Sequence, residues 1–285
     1  MLSRPWCLPV TVILAVFLAG CAALDEKQAQ WIFQPSNRDW GGTSNTVQDM
    51  DEVWIKFASV HTTQPVTLHA LWHAAVPNGA SHTSAAPVML YLHGARWNVT
   101  GSAQRVRRMQ ELGFSVLALD YRGFGKSDGS LPSELLAYED ARAAWDWLAR
   151  QYPDRPRYIF GHSLGGAIAI ELASQVADEA GTIVEGTFTS IPDVVHSLPW
   201  GWLPVGPLIT QRFEAIRKVA TVGSPLLVVH GAQDTLVKPD LGRKLFDAAR
   251  EPKAFVLVDG GSHHNTNAVG QPQYRVAIAE LFGLK

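Results

Sequence analysis

Ser163 sits in the run Gly161-His162-Ser163-Leu164-Gly165, and two residue types able to work with it follow along the chain: an acid at Asp234, then a histidine at His263 or His264. A serine hydroxyl is a poor nucleophile at neutral pH. A histidine has to take its proton, and a carboxylate has to hold that imidazole in one tautomer and stabilise its charged form. Together the three types can carry out acyl transfer. Asp234 taken alone is also a good turn residue, which leaves Asp193 as the fallback acid. Adjacent histidines at 263 and 264 raise a metal site as well, but successive side chains diverge and no Cys, Glu or Asp cluster accompanies them. We therefore expect no metal and no cofactor.

Chemistry of this kind needs the serine presented at a corner. Tyr158 to Phe160 is a β-branched and aromatic run that stops at the Gly-x-Ser-x-Gly pattern and passes directly into the apolar stretch Ala167 to Leu172. That order is strand, sharp turn, helix. The turn pushes the hydroxyl clear of the sheet, the flanking glycines remove clashing Cβ atoms, and the helix aims its first N–H groups at the reacting centre. A glycine-rich structural turn is the competing explanation.

The rest of the chain supplies a frame for that corner. Glu52–Ala58 and Val66–His73 alternate as two antiparallel edge strands. Val88–Leu92, Ser115–Asp120, Arg157–Phe160, Thr182–Phe188, Pro225–His230 and Ala254–Val258 read as further strands, several of them continuously apolar as central parallel strands are. Helices are expected over 103–112, 135–150, after the serine, over 240–250 and over 268–282. Strands alternating with helices imply an α/β fold with a mostly parallel twisted sheet and helices on both faces. In such sheets the functional loops gather at the carboxyl ends of the strands, where Ser163, Asp234 and the paired histidines all fall.

A length of 285 residues with 47% hydrophobic content suits one large core. A formal charge of −2 offers no basic field for a phosphate backbone, so nucleic acid is not expected as a partner. The two cysteines, Cys7 and Cys21, leave the body of the chain without a thiol, which excludes a disulfide framework. Oligomeric state is not legible. Residues 1–20 combine Arg4 with the apolar stretch Leu8 to Leu18, too short to span a membrane, and read as an export signal. Residues 21–50 read as a tether and an N-terminal loop, and the folded domain as 51–285.

Two resemblances add to this reading. Leu18-Ala19-Gly20-Cys21 resembles the lipobox of bacterial lipoproteins, which implies that Cys21 becomes the lipid-bearing first residue and anchors the protein to the cell envelope, on the outer membrane facing the periplasm. An ordinary signal peptide or an uncleaved anchor is the competing explanation. From about residue 50 onward, His93-Gly94, the stretch Asp120 to Ser127, Gly161 to Gly165, Asp234 and the Gly-rich histidine loop together resemble the α/β-hydrolase fold family, in its serine-aminopeptidase-like branch of bacterial esterases and lipases.

That resemblance implies a Ser163, Asp234, His263 triad, with His264 the alternative base, since the family pattern of glycine, small residue, histidine and then Asn or Asp favours the first. It also implies an oxyanion hole from the backbone N–H groups of Ala95 and Leu164. His93, His162, Arg122 and Asn98 are read as shaping loops. Residues 189–217, rich in proline, form a short lid in which Trp200, Trp202, Leu203, Leu208 and Ile209 offer an apolar wall to a substrate. The function expected is hydrolysis of short to medium acyl esters, small-molecule or lipid, through an acyl-enzyme. A serine aminopeptidase, a thioesterase and a non-catalytic surface-binding lipoprotein are the alternatives.

Overall fold

Runs such as Val88–Leu92 and residues 226–229 have no polar side to turn to water, and in the computed structural model both are buried along their whole length. The structure describes residues 20, 22–35, 46–75, 86–96, 98–129 and 131–284. Residues 1–19 of the expected export segment and Cys21 lie outside them.

Among the described residues eight strands form one sheet: β1 (Asp51–Ala58), β2 (Pro65–His73), β3 (Val88–Leu92), β4 (Ser115–Leu119), β5 (Arg157–His162), β6 (Glu179–Glu185), β7 (Leu226–Gly231) and β8 (Lys253–Val258). Their order is β1-β2-β4-β3-β5-β6-β7-β8. β2 runs antiparallel to both of its neighbours, and every other pairing is parallel. This is the α/β-hydrolase arrangement anticipated from the sequence, with β5 near the middle of the sheet.

The helices are α1 (residues 22–33), α2 (Ala103–Glu111), α3 (Glu134–Gln151), α4 (Leu164–Ala173), α5 (Ile191–His196), α6 (Pro239–Ala248), α7 (Thr266–Val269) and α8 (Gln271–Phe282). They cover both faces of the sheet. Val106 and Met109 of α2 and Tyr274 and Ile278 of α8 pack with Tyr91 and Phe160 in one core. Trp145 of α3, Ile168 of α4 and Leu245 of α6 pack with Leu90 and Val228 in the other. All ten residues of α4 are buried, which fixes the helix that carries the serine corner from behind.

Three boundaries differ from the sequence reading. Residues 22–33, expected to be a tether, are helical. Ala29, Ile32 and Phe33 do recur at helical spacing, but the stripe is narrow, and docking is what settles it. Phe33 is fully buried against the rings of Phe124 and Phe213, at centroid distances of 6.3 and 5.7 Å. Gln28 bonds the Leu208 carbonyl at 2.6 Å and accepts from the Thr210 N–H at 2.8 Å. The strand expected over 182–188 ends at Glu185, because Gly186 turns the chain at φ +57°. The closing helix is two pieces broken at Gly270, with Pro272 in the first turn of α8, where its missing N–H costs nothing.

Candidate active site

Ser163 joins β5 to α4 at φ 55° and ψ −120°, a conformation that L side chains seldom adopt and that costs about 1–3 kcal/mol unless its surroundings enforce it. Here close packing enforces it. A Cβ at Gly161 would run into the Gly165 carbonyl, and one at Gly165 into the Leu92 carbonyl. The corner is therefore pressed against the end of β3, and an ideal Cβ at Gly94 would lie 3.0 Å from that of Ser163. The His93-Gly94 loop that carries Ala95 thus stands beside the serine, and Leu164 opens α4 on its other side.

His263 brings the constellation together. Its Nε2 lies 3.0 Å from Ser163 Oγ and its Nδ1 2.8 Å from Asp234 Oδ2. Because a carboxylate only accepts, Nδ1 carries the proton and Nε2 is left free to accept from the serine hydroxyl. Asp234 is held in turn by the N–H groups of Leu236 and Val237, both donating to Oδ1 at 2.9 and 2.8 Å. Burial alone would raise the Asp234 carboxyl, but the His230 ring N–H 3.4 Å away and the hydrogen bond from His263 outweigh it and hold the group well below the usual carboxylate range. His264 stands exposed beside this relay, its ring 5.4 Å from that of His263.

The remaining residues singled out in the sequence do other work. Asp193 accepts from the hydroxyls of Thr189 and Ser190 at 2.6 and 2.8 Å and belongs to the start of α5. Arg122 is locked to Asp140 through Nε at 2.7 Å, and Asn98 caps the turn Val99–Ser102 through Thr100 N–H. His93 donates from Nδ1 to the Gly94 carbonyl at 2.7 Å. Burial pushes both His93 and His162 below the ordinary histidine value, and the Arg105 charge adds to the effect at His162. Among the described residues no group of three His, Cys, Asp or Glu is placed to hold a metal ion.

The pocket over Ser163 is roofed by Trp31 and Ile32 of α1 and by Ile191 and Val194 of α5, with Phe188 and Leu236 completing the apolar wall. Trp200 and Trp202, expected in the apolar wall, are not among the residues that line this pocket. They are 49% and 80% exposed and follow the end of α5 at His196.

Sequence reasoning missed Trp31 and Ile32, which fall in the stretch read as tether and N-terminal loop, and also Arg105 and His230. Arg105 reaches the site from α2 and pairs with Glu185 at 2.9 Å. No local pattern marks it, since its partner lies 80 positions away. His230 sits beneath the acid, donating from Nε2 to the Val237 carbonyl at 2.8 Å, with Asp234 Oδ2 at 3.4 Å.

A family model described as serine aminopeptidase, S33, matches residues 83–216. An uncharacterized protein of Mycobacterium tuberculosis is 32% identical over 267 residues, which is 93% of this chain and 90% of the relative. The lysophosphatidylserine lipase ABHD12 of Danio rerio is 28% identical over 283 residues, covering 88% of this chain and 72% of the relative. Among solved structures, an esterase of Pyrococcus furiosus, Pf2001, matches with a TM-score of 0.66 at 20% identity, over 88% of this chain and 97% of that one, a likeness of fold.

Proposed function

The chain belongs to the α/β-hydrolase fold family and is a serine hydrolase, and on that premise we propose that it cleaves carboxylic esters through an acyl-enzyme, with Ser163 as nucleophile, His263 as base and Asp234 as the orienting acid. The observation that carries this reading is the position of the His263 ring, within hydrogen-bond reach of the Asp234 carboxylate and the Ser163 hydroxyl at once.

Ser163 Oγ attacks the ester carbonyl as His263 Nε2 takes its proton. Asp234 stays ionised and stabilises the imidazolium, which its depressed carboxyl suits it to do. The N–H groups of Ala95 and Leu164 receive the oxyanion. His263 then returns the proton to the departing alcohol oxygen, leaving Ser163 acylated. Water then attacks the acyl carbonyl as the same Nε2 takes its proton, and the bond from the acyl carbon to Ser163 Oγ breaks as Nε2 passes that proton to Oγ, which releases the acid and restores the serine.

Esters are favoured over amino-terminal peptides by the charge of the pocket. None of its described lining residues is acidic, while Arg96 and Arg105 are cationic, so a substrate ammonium would meet no carboxylate there. The apolar roof suits an acyl chain of short to medium length, and the likeness to a lysophosphatidylserine lipase supports a lipid ester as the natural class. The segment Leu18 to Cys21 further supports lipid anchoring to the cell envelope. Palmitate labelling should mark the parent and not Cys21→Ser, and equal labelling would remove the anchor.

The function itself is tested by a panel of p-nitrophenyl esters beside aminoacyl anilides, with fluorophosphonate labelling of Ser163. Ester turnover with labelling at Ser163 is the expected result. Efficient anilide cleavage with negligible ester activity would decide for a peptidase, and an unlabelled serine for a binding protein.

A further inference from the structure

Arg105 enters the site from a helix that the reaction above does not use. Its guanidinium is largely buried, and Nε donates to Glu185 Oε1 at 2.9 Å. The other arm of the fork, Nη2, donates to the His264 carbonyl at 3.0 Å and reaches the His263 carbonyl at 3.3 Å. His162 Nε2 lies 3.2 Å from that Nη2 and 3.1 Å from the same His263 carbonyl. Glu185 closes the circuit. Its backbone carbonyl accepts the N–H of Ser163 at 2.9 Å, and its Oε2 accepts the hydroxyl of Tyr274 on α8. One buried ion pair therefore touches the backbone of the base on one side and, through Glu185, the backbone of the nucleophile on the other.

Net stability is a weak reason for such a pair, because the cost of stripping water from two charges offsets most of their attraction. What a guanidinium supplies is geometry: a rigid planar fork whose donors fix the spacing between a carboxylate and two carbonyls. That spacing matters here. The ring of His263 reaches Ser163 from the far side of the site, on a loop that starts at Gly260, with φ +71°, and a small drift would lengthen the Nε2 to Oγ distance.

We propose that Arg105, with its charge balanced by Glu185, is a positioning residue that registers the histidine loop against the serine corner and so sets the approach of His263 to Ser163. The proposal rests on the triad reading above. Arg105 exchanges no proton in the reaction and acts through the His263 backbone.

The test uses the full chain in three variants: Arg105→Met, Arg105→Lys, and the double variant Arg105→Met with Glu185→Gln, which leaves no unpaired buried charge if the first fails to fold. Steady-state rates on p-nitrophenyl butyrate and hydrogen–deuterium exchange over residues 260–265 are measured for each. Both methionine variants should lose about 100-fold in kcat with KM within about twofold, the size expected of a misplacement near 1 Å. Arg105→Lys should recover part of that loss, and exchange should rise in 260–265 but not in the central strands.

A folded double variant with kcat within about threefold of the parent and unchanged loop exchange overturns the proposal. A raised KM at constant kcat also overturns it, since Arg105 would then be a substrate contact. Should the parent itself neither turn over esters nor label at Ser163, the hydrolase reading fails separately, and the exchange measurement still decides whether Arg105 holds the loop.

Discussion

The floor of the pocket is made by the ends of the parallel strands and its roof by α1 and α5, and the two are held in different ways. In the floor each triad residue is fixed through its backbone or by backbone donors. Asp234 is gripped by two N–H donors, the serine corner is wedged between β3 and α4, and the carbonyls of the histidine loop are tied to Arg105. In the roof, ring packing at Phe33, one backbone bond from the Arg96 N–H to the Phe33 carbonyl and a few side-chain hydrogen bonds, between Gln28 and residues 208 and 210 and from Gln211 to Asp25, hold α1 to the rest. Catalytic geometry tolerates little drift, whereas a surface that only receives an acyl chain needs shape without exact registry. The difference separates residues whose loss removes the reaction from residues whose loss changes the fold's margin or the choice of substrate.

The largest effects should therefore lie in the floor. Ser163→Ala and His263→Ala are each expected to cut ester turnover by roughly 10⁴-fold or more, and His264→Ala by less than about tenfold, since residues acting as one unit share a large, non-additive loss. Initial rates on a p-nitrophenyl ester decide. A milder effect at 263 than at 264 would transfer the base to His264 and break the comparison at its strongest point.

Next comes the anchor of the roof. Phe33→Ala should cost about 3–5 kcal/mol, as truncation of a fully buried aromatic does. Chemical denaturation read by tryptophan fluorescence measures it, and a loss under about 1 kcal/mol would mean that α1 is not part of the core.

A pH effect of intermediate size sharpens the same contrast. His93 and His162 in the floor are buried with values pushed below the ordinary one of about 6.5. Below that pH the unfolded chain takes up protons that the folded chain refuses, so stability should fall as pH drops through and below about 6.5. Asp234, held low, adds a further loss only at much more acid pH, where its carboxylate must protonate. Melting temperature followed from pH 7.5 to 5.5 should decline in the parent and less steeply in His162→Gln. An equal slope in the two would remove His162 as a source.

The smallest effect is expected at the outer edge of the roof. Trp200→Ala and Trp202→Ala should change stability by less than about 0.5 kcal/mol and leave acyl-chain preference as it was, because both indoles are exposed and outside the pocket lining. Ile32→Ala or Val194→Ala should shift that preference instead. A chain-length profile altered by Trp202→Ala alone would restore the wall anticipated from the sequence.

What the sequence determined by itself was local in origin. The strand, turn and helix around Ser163 are written into Tyr158 to Leu172 as a change from strand-like to helical apolar patterning with glycines at the bend, and continuously apolar stretches such as Val88–Leu92 announce strands covered on both faces. Chain order alone brought Ser163, Asp234 and a histidine into consideration together.

The choices made through space needed the tertiary structure. Residue type does not separate two adjacent histidines, and the family resemblance only favoured the first; the path of the loop after β8 buries His263 against Ser163 and leaves His264 exposed. The indoles at 200 and 202 read as lid residues by position, yet both are exposed and stand outside the lining of the pocket over Ser163. Residues 22–33 looked like a tether because a narrow apolar stripe does not announce a helix until Phe33 finds a pocket between Phe124 and Phe213. Arg105 and Glu185 carried no signal, because opposite charges 80 positions apart become a pair only when the sheet closes the distance between them.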